Sequence, residues 1–199
     1  SGECRPFAVF SGAGCANVYS ACGACDHIFD QNFPVKTWGR EFFIVPFSFA
    51  NGYTYRVLAH QDNTVVTIDN GLPIGLNAGQ FVEFNDVDES KCIVANNGIS
   101  VIQYMQGITC SLAGDPAMMI LNDASQKIDH ITFSTVDSDV ITEHGLNIII
   151  ATASIAELLI DGNAVDASLF TPFEGNPDMA FAQITISAGS HTISASSGF

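Results

Sequence analysis

Short runs of β-branched and aromatic residues, closed off by Asn-Gly, Asp-Gly and Pro, restrict this chain to an antiparallel β fold. Phe42-Phe43-Ile44-Val45, Tyr53-Thr54-Tyr55-Arg56-Val57-Leu58, Thr64-Val65-Val66-Thr67-Ile68, Gln80-Phe81-Val82-Glu83-Phe84 and Ser100-Val101-Ile102-Gln103-Tyr104 are short and suit a pleated surface. Asn51-Gly52, Asn70-Gly71, Asn97-Gly98 and Asp161-Gly162 offer the positive φ that tight hairpin connections demand. The predicted class is all-β, with a short helical turn allowed only near 117–121, after Pro116 and before Asn122-Asp123.

An internal repeat organises these strands. Val57-Leu58-Ala59 matches Ile149-Ile150-Ala151, and Ile68-Asp69 matches Ile160-Asp161, at a constant spacing of 92 residues. Phe7-Ala8-Val9-Phe10 falls on Ile99-Ser100-Val101-Ile102 at the same spacing, and Leu76-Asn77-Ala78-Gly79 resembles Ile186-Ser187-Ala188-Gly189 after an insertion at 167–182. The chain therefore reads as two related antiparallel β-sandwich-like units, 1–98 and 99–199, packed together as one module. Residues 148–160 contain good helix formers, but their counterpart at 55–68 carries Gln61-Asp62-Asn63-Thr64, so the hairpin reading transfers to the second unit.

The inserted segment is the main difference between the units. Its apolar residues Phe170, Phe173, Met179 and Phe181 form a ligand-contact surface if exposed, and close a sheet edge if not.

Six cysteines, Cys4, Cys15, Cys22, Cys25, Cys92 and Cys110, are an even set that fits disulfides and an oxidising, extracellular compartment. Cys92 and Cys110 flank the strand-like run at 99–105 and are expected to pair, while three pairings remain open for the other four. Cys15, Cys22, Cys25 and His27 make a competing zinc set, but no second Cys-x2-Cys completes it. A redox Cys22-Gly-Ala-Cys25 needs a helix N-terminus that Asp26-His27-Ile28-Phe29 does not announce.

The charge balance narrows the partners. Twenty-one acidic and six basic residues give a net charge of −15, although charged residues are only 14% of the chain, so the acidity comes from scarce Lys and Arg. Without a basic patch, nucleic acid is not an expected partner, and an anionic membrane surface repels the chain. The longest apolar stretch, 146–160, is broken by Asn147, Thr152, Ser154 and Glu157 and falls short of the roughly 20 residues of a membrane-spanning helix. A hydrophobic content of 47% with 15 Phe supports a folded core. The chain opens on Ser1-Gly2-Glu3-Cys4 without Met, which reads as a processed end.

Catalytic signatures are missing from the sequence. No Gly-x-Ser-x-Gly elbow, His-Glu-x-x-His pair or phosphate-binding glycine loop occurs, and His27, His60, His130, His144 and His191 share no metal-ligand spacing. Asp86, Asp88 and Glu89, and separately Asp137 and Asp139, supply hard oxygen donors suited to a structural calcium ion without matching a calcium-loop pattern. Otherwise no cofactor is expected. Trp38, beside Gly39, is expected to anchor the core.

Several of these segments together carry a family resemblance. Phe7-Ala8-Val9-Phe10-Ser11-Gly12, Cys15, Cys25-Asp26-His27 and Phe33-Pro34-Val35-Lys36-Thr37-Trp38-Gly39-Arg40-Glu41-Phe42 resemble the N-terminal domain of the IgG Fc-binding protein family. Asp62-Asn63-Thr64-Val65-Val66-Thr67-Ile68, Leu76-Asn77-Ala78-Gly79-Gln80-Phe81 and Gly114-Asp115-Pro116-Ala117-Met118 continue the similarity in order. The resemblance implies a secreted or cell-surface adhesive module without enzymatic activity, and does not imply binding of IgG. It also implies a further short aromatic strand past Phe199. Gly114-Asp115-Pro116 is similar to the Gly-Asp-Pro-His site at which mucin-type proteins cleave themselves, but Ala117 stands where His is needed, leaving an Asp-Pro turn.

The expected function is thus an extracellular, non-catalytic adhesion module engaging a protein or glycan. The alternative is a structural module of an extracellular assembly, self-associating through sheet edges.

Overall fold

A computed structural model describes residues 7–141 and 143–199. The chain forms β1 (Phe10–Ala16), β2 (Asp26–Gln31), β3 (Gly39–Ile44), β4 (Tyr53–Ala59), β5 (Thr64–Ile68), β6 (Ile74–Leu76), β7 (Phe81–Val87), β8 (Lys91–Met105) and, after the helical turn α1 (Ile108–Ser111), β9 (Ala117–Ile120). It continues through β10 (His130–Ser134), β11 (His144–Ala151), β12 (Leu159–Ile160), β13 (Asn163–Ala164), β14 (Thr171–Phe173), β15 (Asn176–Ile186) and β16 (Ser190–Ser194). The architecture is all-β with antiparallel pairing throughout, as the strand runs and turn residues predict.

β8 is the organising strand. Its N-terminal half pairs with β3 and β5, and its C-terminal half pairs with β4 and β9. With β6 beside β5 and β7 beside β4, these strands make a seven-stranded sheet. β1 and β2 form a separate two-stranded ribbon, β11, β15 and β14 a three-stranded sheet, and β10, β16, β12 and β13 a four-stranded one. β8 runs without a break through residues 98 and 99, so Asn97-Gly98 is strand rather than turn, contrary to the hairpin expectation.

Alternation along individual strands distributes side chains among three cores. Phe42 and Ile44 of β3 point into the first core with Tyr53, Tyr55, Val57, Ile93 and Ile99. Phe43, and Val45 just beyond the strand, point the opposite way and join Cys92, Phe173 and Met179. β11 repeats the device: Ile148 and Ile150 pack with Leu158 and Ile193, while Ile149 and Ala151 lie against the Phe43 layer. The continuous apolar runs at 42–45 and 148–151 are therefore strands buried on both faces.

Local details depart from the sequence expectations in instructive ways. The connection between β11 and β12 is a 3-10 turn over Thr152–Glu157, and the two strands lie in different sheets, so the expected hairpin is absent. The good helix formers there have room only for a short 3-10 segment because both flanking strands are claimed by other partners. The one stretch where the sequence allowed a helical turn, 117–121, is instead strand β9 pairing with β8 over 117–120, and a helical turn forms upstream at α1. Asp161-Gly162 does close the β12–β13 hairpin, with φ of 52° and 78°. Trp38 is half-buried outside the cores: its Nε1–H donates to the Phe33 carbonyl at 3.2 Å and its ring meets His60 edge-on.

Candidate functional site

The cysteines set the first constraint on the surface. Cys15 bonds Cys25 and Cys22 bonds Cys110, whereas Cys92 is buried and has no disulfide partner among the described residues; Cys4 lies outside them. The expected Cys92–Cys110 bridge is thus replaced. A strand advances about 3.3 Å per residue, and β8 carries its two ends far apart, leaving Cys92 in the Phe43 layer. Cys110 sits on α1, whose Thr109 Oγ1 accepts from Gly23 N at 2.6 Å, which brings it beside Cys22. With these sulfurs spent in disulfides, the zinc set Cys15, Cys22, Cys25 and His27 does not form, nor does a Cys22–Cys25 redox pair. His27 Nδ1 faces Asp26 Oδ1 at 3.0 Å instead.

The inserted segment is structural in its larger side chains. Phe173 is 1% exposed, with its ring centroid 4.7 Å from that of Phe43, and Met179 is buried in the same layer. Phe170 is half-buried against the Ile148–Ile193 core, and Phe181 half-buried beside Phe173. β14 pairs with β15, which turns this segment inward and takes Phe173 into the core. Met179 borders one open cleft, beside Asp123 and Lys127, and Phe181 lines another, beside Asp86, Asp88 and Glu89.

That cleft, about 570 Å³, lies between the β3–β4 connection and the end of β7. Asp86, Asp88 and Glu89 line it with Phe47, Asn51 and Gln183. Gly52 and Asp86 both adopt positive φ, 63° and 57°, and a Cβ on Gly52 would lie 3.0 Å from Asp86 Oδ1. Glu89 is engaged by Lys91 Nζ at 2.8 Å, and Lys91 in turn reaches Asp69 at 3.0 Å. Asp137 and Asp139 are exposed on a separate loop. Among the described residues no group of three or more His, Cys, Asp or Glu side chains is arranged to hold a metal ion.

A larger cleft of about 880 Å³ opens between the β1–β2 ribbon and the segment leading into β9. Asp26, His27, Ile28 and Phe29 line one wall and Asp115, Pro116, Ala117 and Met118 the other. Gly114, at φ 67°, turns the chain into this wall, so Gly114-Asp115-Pro116 acts as a turn before β9. Phe10 stacks on Phe29 at 5.4 Å, and both rings are more than half exposed beside the cleft. Both walls include segments noted from sequence, Asp26-His27 and Asp115-Pro116-Ala117-Met118, but only the tertiary approach of β2 and β9 brings them together.

Of the histidines, His191 alone is buried. Nδ1 lies 2.7 Å from Asp161 Oδ2 and Nε2 lies 2.9 Å from the Ser187 carbonyl. Two acceptors on one ring favour the doubly protonated imidazolium, and the Asp161 bond raises the His191 pKa while the same bond lowers that of Asp161.

Residues 2–199 match the family described as IgGFc binding protein. The chain belongs to that family. The human IgGFc-binding protein is 27% identical over 188 residues, which covers 91% of this chain and 3% of the relative. The chain thus spans a small part of that much longer protein. No solved structure matches it. The match runs over nearly the whole chain, in keeping with the resemblance noted from sequence, and it joins two disulfides and an all-β scaffold to this family. No helix of the described residues is long and apolar enough to cross a membrane.

Proposed function

We propose that this chain is an extracellular, non-catalytic adhesion module that binds a protein or glycan ligand through clefts between its strands. The observation that carries the reading is the family match over residues 2–199. Two further features support it. Disulfides fit an oxidising compartment, and the two open clefts carry Asp26 and Asp115, and Asp86, Asp88 and Glu89, without a Lys or Arg among their lining residues. Such walls suit neutral or cationic ligands.

A solid-phase panel of immunoglobulin Fc, mucins and a glycan array, with and without a calcium chelator, tests the reading. Saturable binding to one ligand class is expected. Loss of that binding with chelator assigns a bridging calcium to the acidic surface. No binding across the panel, together with concentration-dependent association in sedimentation, supports instead a structural module that self-associates through strand edges.

A further inference from the structure

Strand β1 has a single neighbour. It pairs with β2, and its far edge adjoins no strand among the described residues. Asn32 N donates to the Val9 carbonyl, so the bonds to β2 fall on residues 9, 11 and 13 of this segment. The N–H and C=O groups of Phe10 and Gly12 therefore face the open edge. Edge strands are ordinarily shielded by shortness, charge or Pro. Elsewhere in this chain that holds: β6, β13 and β14 are three residues or shorter, and β3 and β7 carry charged side chains. β1 has none of these shields. It runs seven residues, the first six exposed, and from Phe7 to Cys25 the sequence holds no charged residue in a chain of net charge −15.

The side chains of this edge complement themselves. Gly12 stands opposite Phe29 of β2, which puts Phe29 on the face that carries Phe10, and the two rings stack at 5.4 Å while 53% and 64% exposed. From Ser11 to Gly14 no side chain is larger than serine, so a second strand meets no bulk there. We infer that β1 is a self-association edge, at which two copies of this chain pair β1 with β1, antiparallel, about a two-fold axis through Ser11. Phe10 and Gly12 then exchange backbone bonds with Gly12 and Phe10 of the partner subunit, so that each Phe10 ring lies over a glycine. The two Phe10–Phe29 stacks become one four-ring cluster, which withdraws apolar surface from water. A second copy is the occupant because a two-fold contact needs one patch that matches itself, and β1 does so without setting like charges opposite each other. The inference goes beyond the ligand reading and fails separately from it.

Sedimentation of the oxidised chain from about 1 to about 300 µM reads the pairing. A reversible monomer–dimer equilibrium is expected, with amide exchange at Phe10 and Gly12 slowed about tenfold in the dimer. Phe10→Lys puts a charge on the edge at an exposed site and is expected to weaken dimerisation at least about tenfold, with little change in thermal unfolding. Two cysteine variants read the register. Ser11 meets its own counterpart at a non-hydrogen-bonded position, with Cα atoms about 4.5 Å apart, within reach of a disulfide. Ser11→Cys should therefore cross-link two copies under mild oxidation, mapped to residue 11 by mass spectrometry, whereas Ala13→Cys, roughly 14 Å from its counterpart, should not. A monomer throughout the concentration range overturns the proposal. So does association that Phe10→Lys leaves unchanged, which places the contact elsewhere, or equal cross-linking of both cysteine variants, which refutes the register. Phe10 and Gly12 amides already protected in the dilute protein overturn it as well, because the edge is then covered. A dimer beside a silent ligand panel keeps this edge and removes the ligand reading; a monomer beside a positive panel does the reverse.

Discussion

Phe43 and Phe173, from the two halves of the chain, meet with ring centroids 4.7 Å apart and interplanar angle 49°, and Phe181 closes on the far side of Phe173 at 5.0 Å. This aromatic layer joins the seven-stranded sheet to the β11–β15–β14 sheet. Phe173→Ala removes its centre. We expect a loss of about 3–5 kcal/mol, the usual range for a fully buried Phe, measured by urea unfolding, and a substantially smaller loss for Leu169→Ala, whose side chain is half exposed. Equal losses would show that the layer does not bind the sheets together.

Cys92 sits in that same layer, unbridged among the described residues. Burial, with Glu41 and Asp69 adding like charge, pushes its pKa up to about 11. Native protein at pH 8 should therefore react with iodoacetamide at Cys92 far more slowly than protein unfolded in guanidinium. Peptide mapping of the label should leave Cys15, Cys22, Cys25 and Cys110 unmodified unless a reductant is added.

The Cys22–Cys110 bond ties the 22–25 loop to α1, across a sequence separation of 88 residues. Replacing both residues by Ser should cost about 2–5 kcal/mol, the usual range for a native disulfide. Calorimetry of the double variant against the unaltered chain measures it, and an unchanged midpoint would place the constraint elsewhere.

His191 and Asp161 give the fold a pH signature. The raised His191 pKa contributes stability that is full below the ordinary imidazole value of 6.5 and is lost as pH rises through the folded value. The lowered Asp161 pKa contributes stability that is present above the ordinary carboxylate value of 3.8 and is lost as pH falls through the folded value. The pair is therefore worth most between those two ordinary values. Midpoints of H191Q and the unaltered chain should differ most near pH 5 and converge above neutrality; a constant gap would reduce the pair to packing.

Gly12 lets the β1–β2 ribbon close, because a Cβ there would collide with the Ile28 carbonyl oxygen. Gly12→Val should open the ribbon locally. Faster amide exchange confined to 10–16 and 26–31, with little change in the global midpoint, is the expected reading. Global unfolding would mean that the ribbon supports the cores rather than riding on them.

The sequence by itself determined the β class, the family and the strands β3, β4, β5, β7 and the second half of β8, because period-2 alternation and β-branched runs are local properties of the chain. That the runs Phe42-Phe43-Ile44-Val45 and Ile148-Ile149-Ile150-Ala151 are covered on both faces emerged only from the packing. Tertiary structure alone decided the partners. Cys92 and Cys110 looked like a bridge because one strand separates them, yet that strand, extended, is what keeps them apart while α1 delivers Cys110 to Cys22. Asn97-Gly98 carries turn chemistry, but pairing along β8 holds the segment extended. The inserted Phe173 and Met179 turned inward because β14 found β15 and an open face on Phe43. The two walls of the β2–β9 cleft, Asp26-His27 and Asp115-Pro116-Ala117-Met118, stood out in the sequence, but their meeting did not: which strand edges face each other is a property of chain packing, and local pattern carries no term for it.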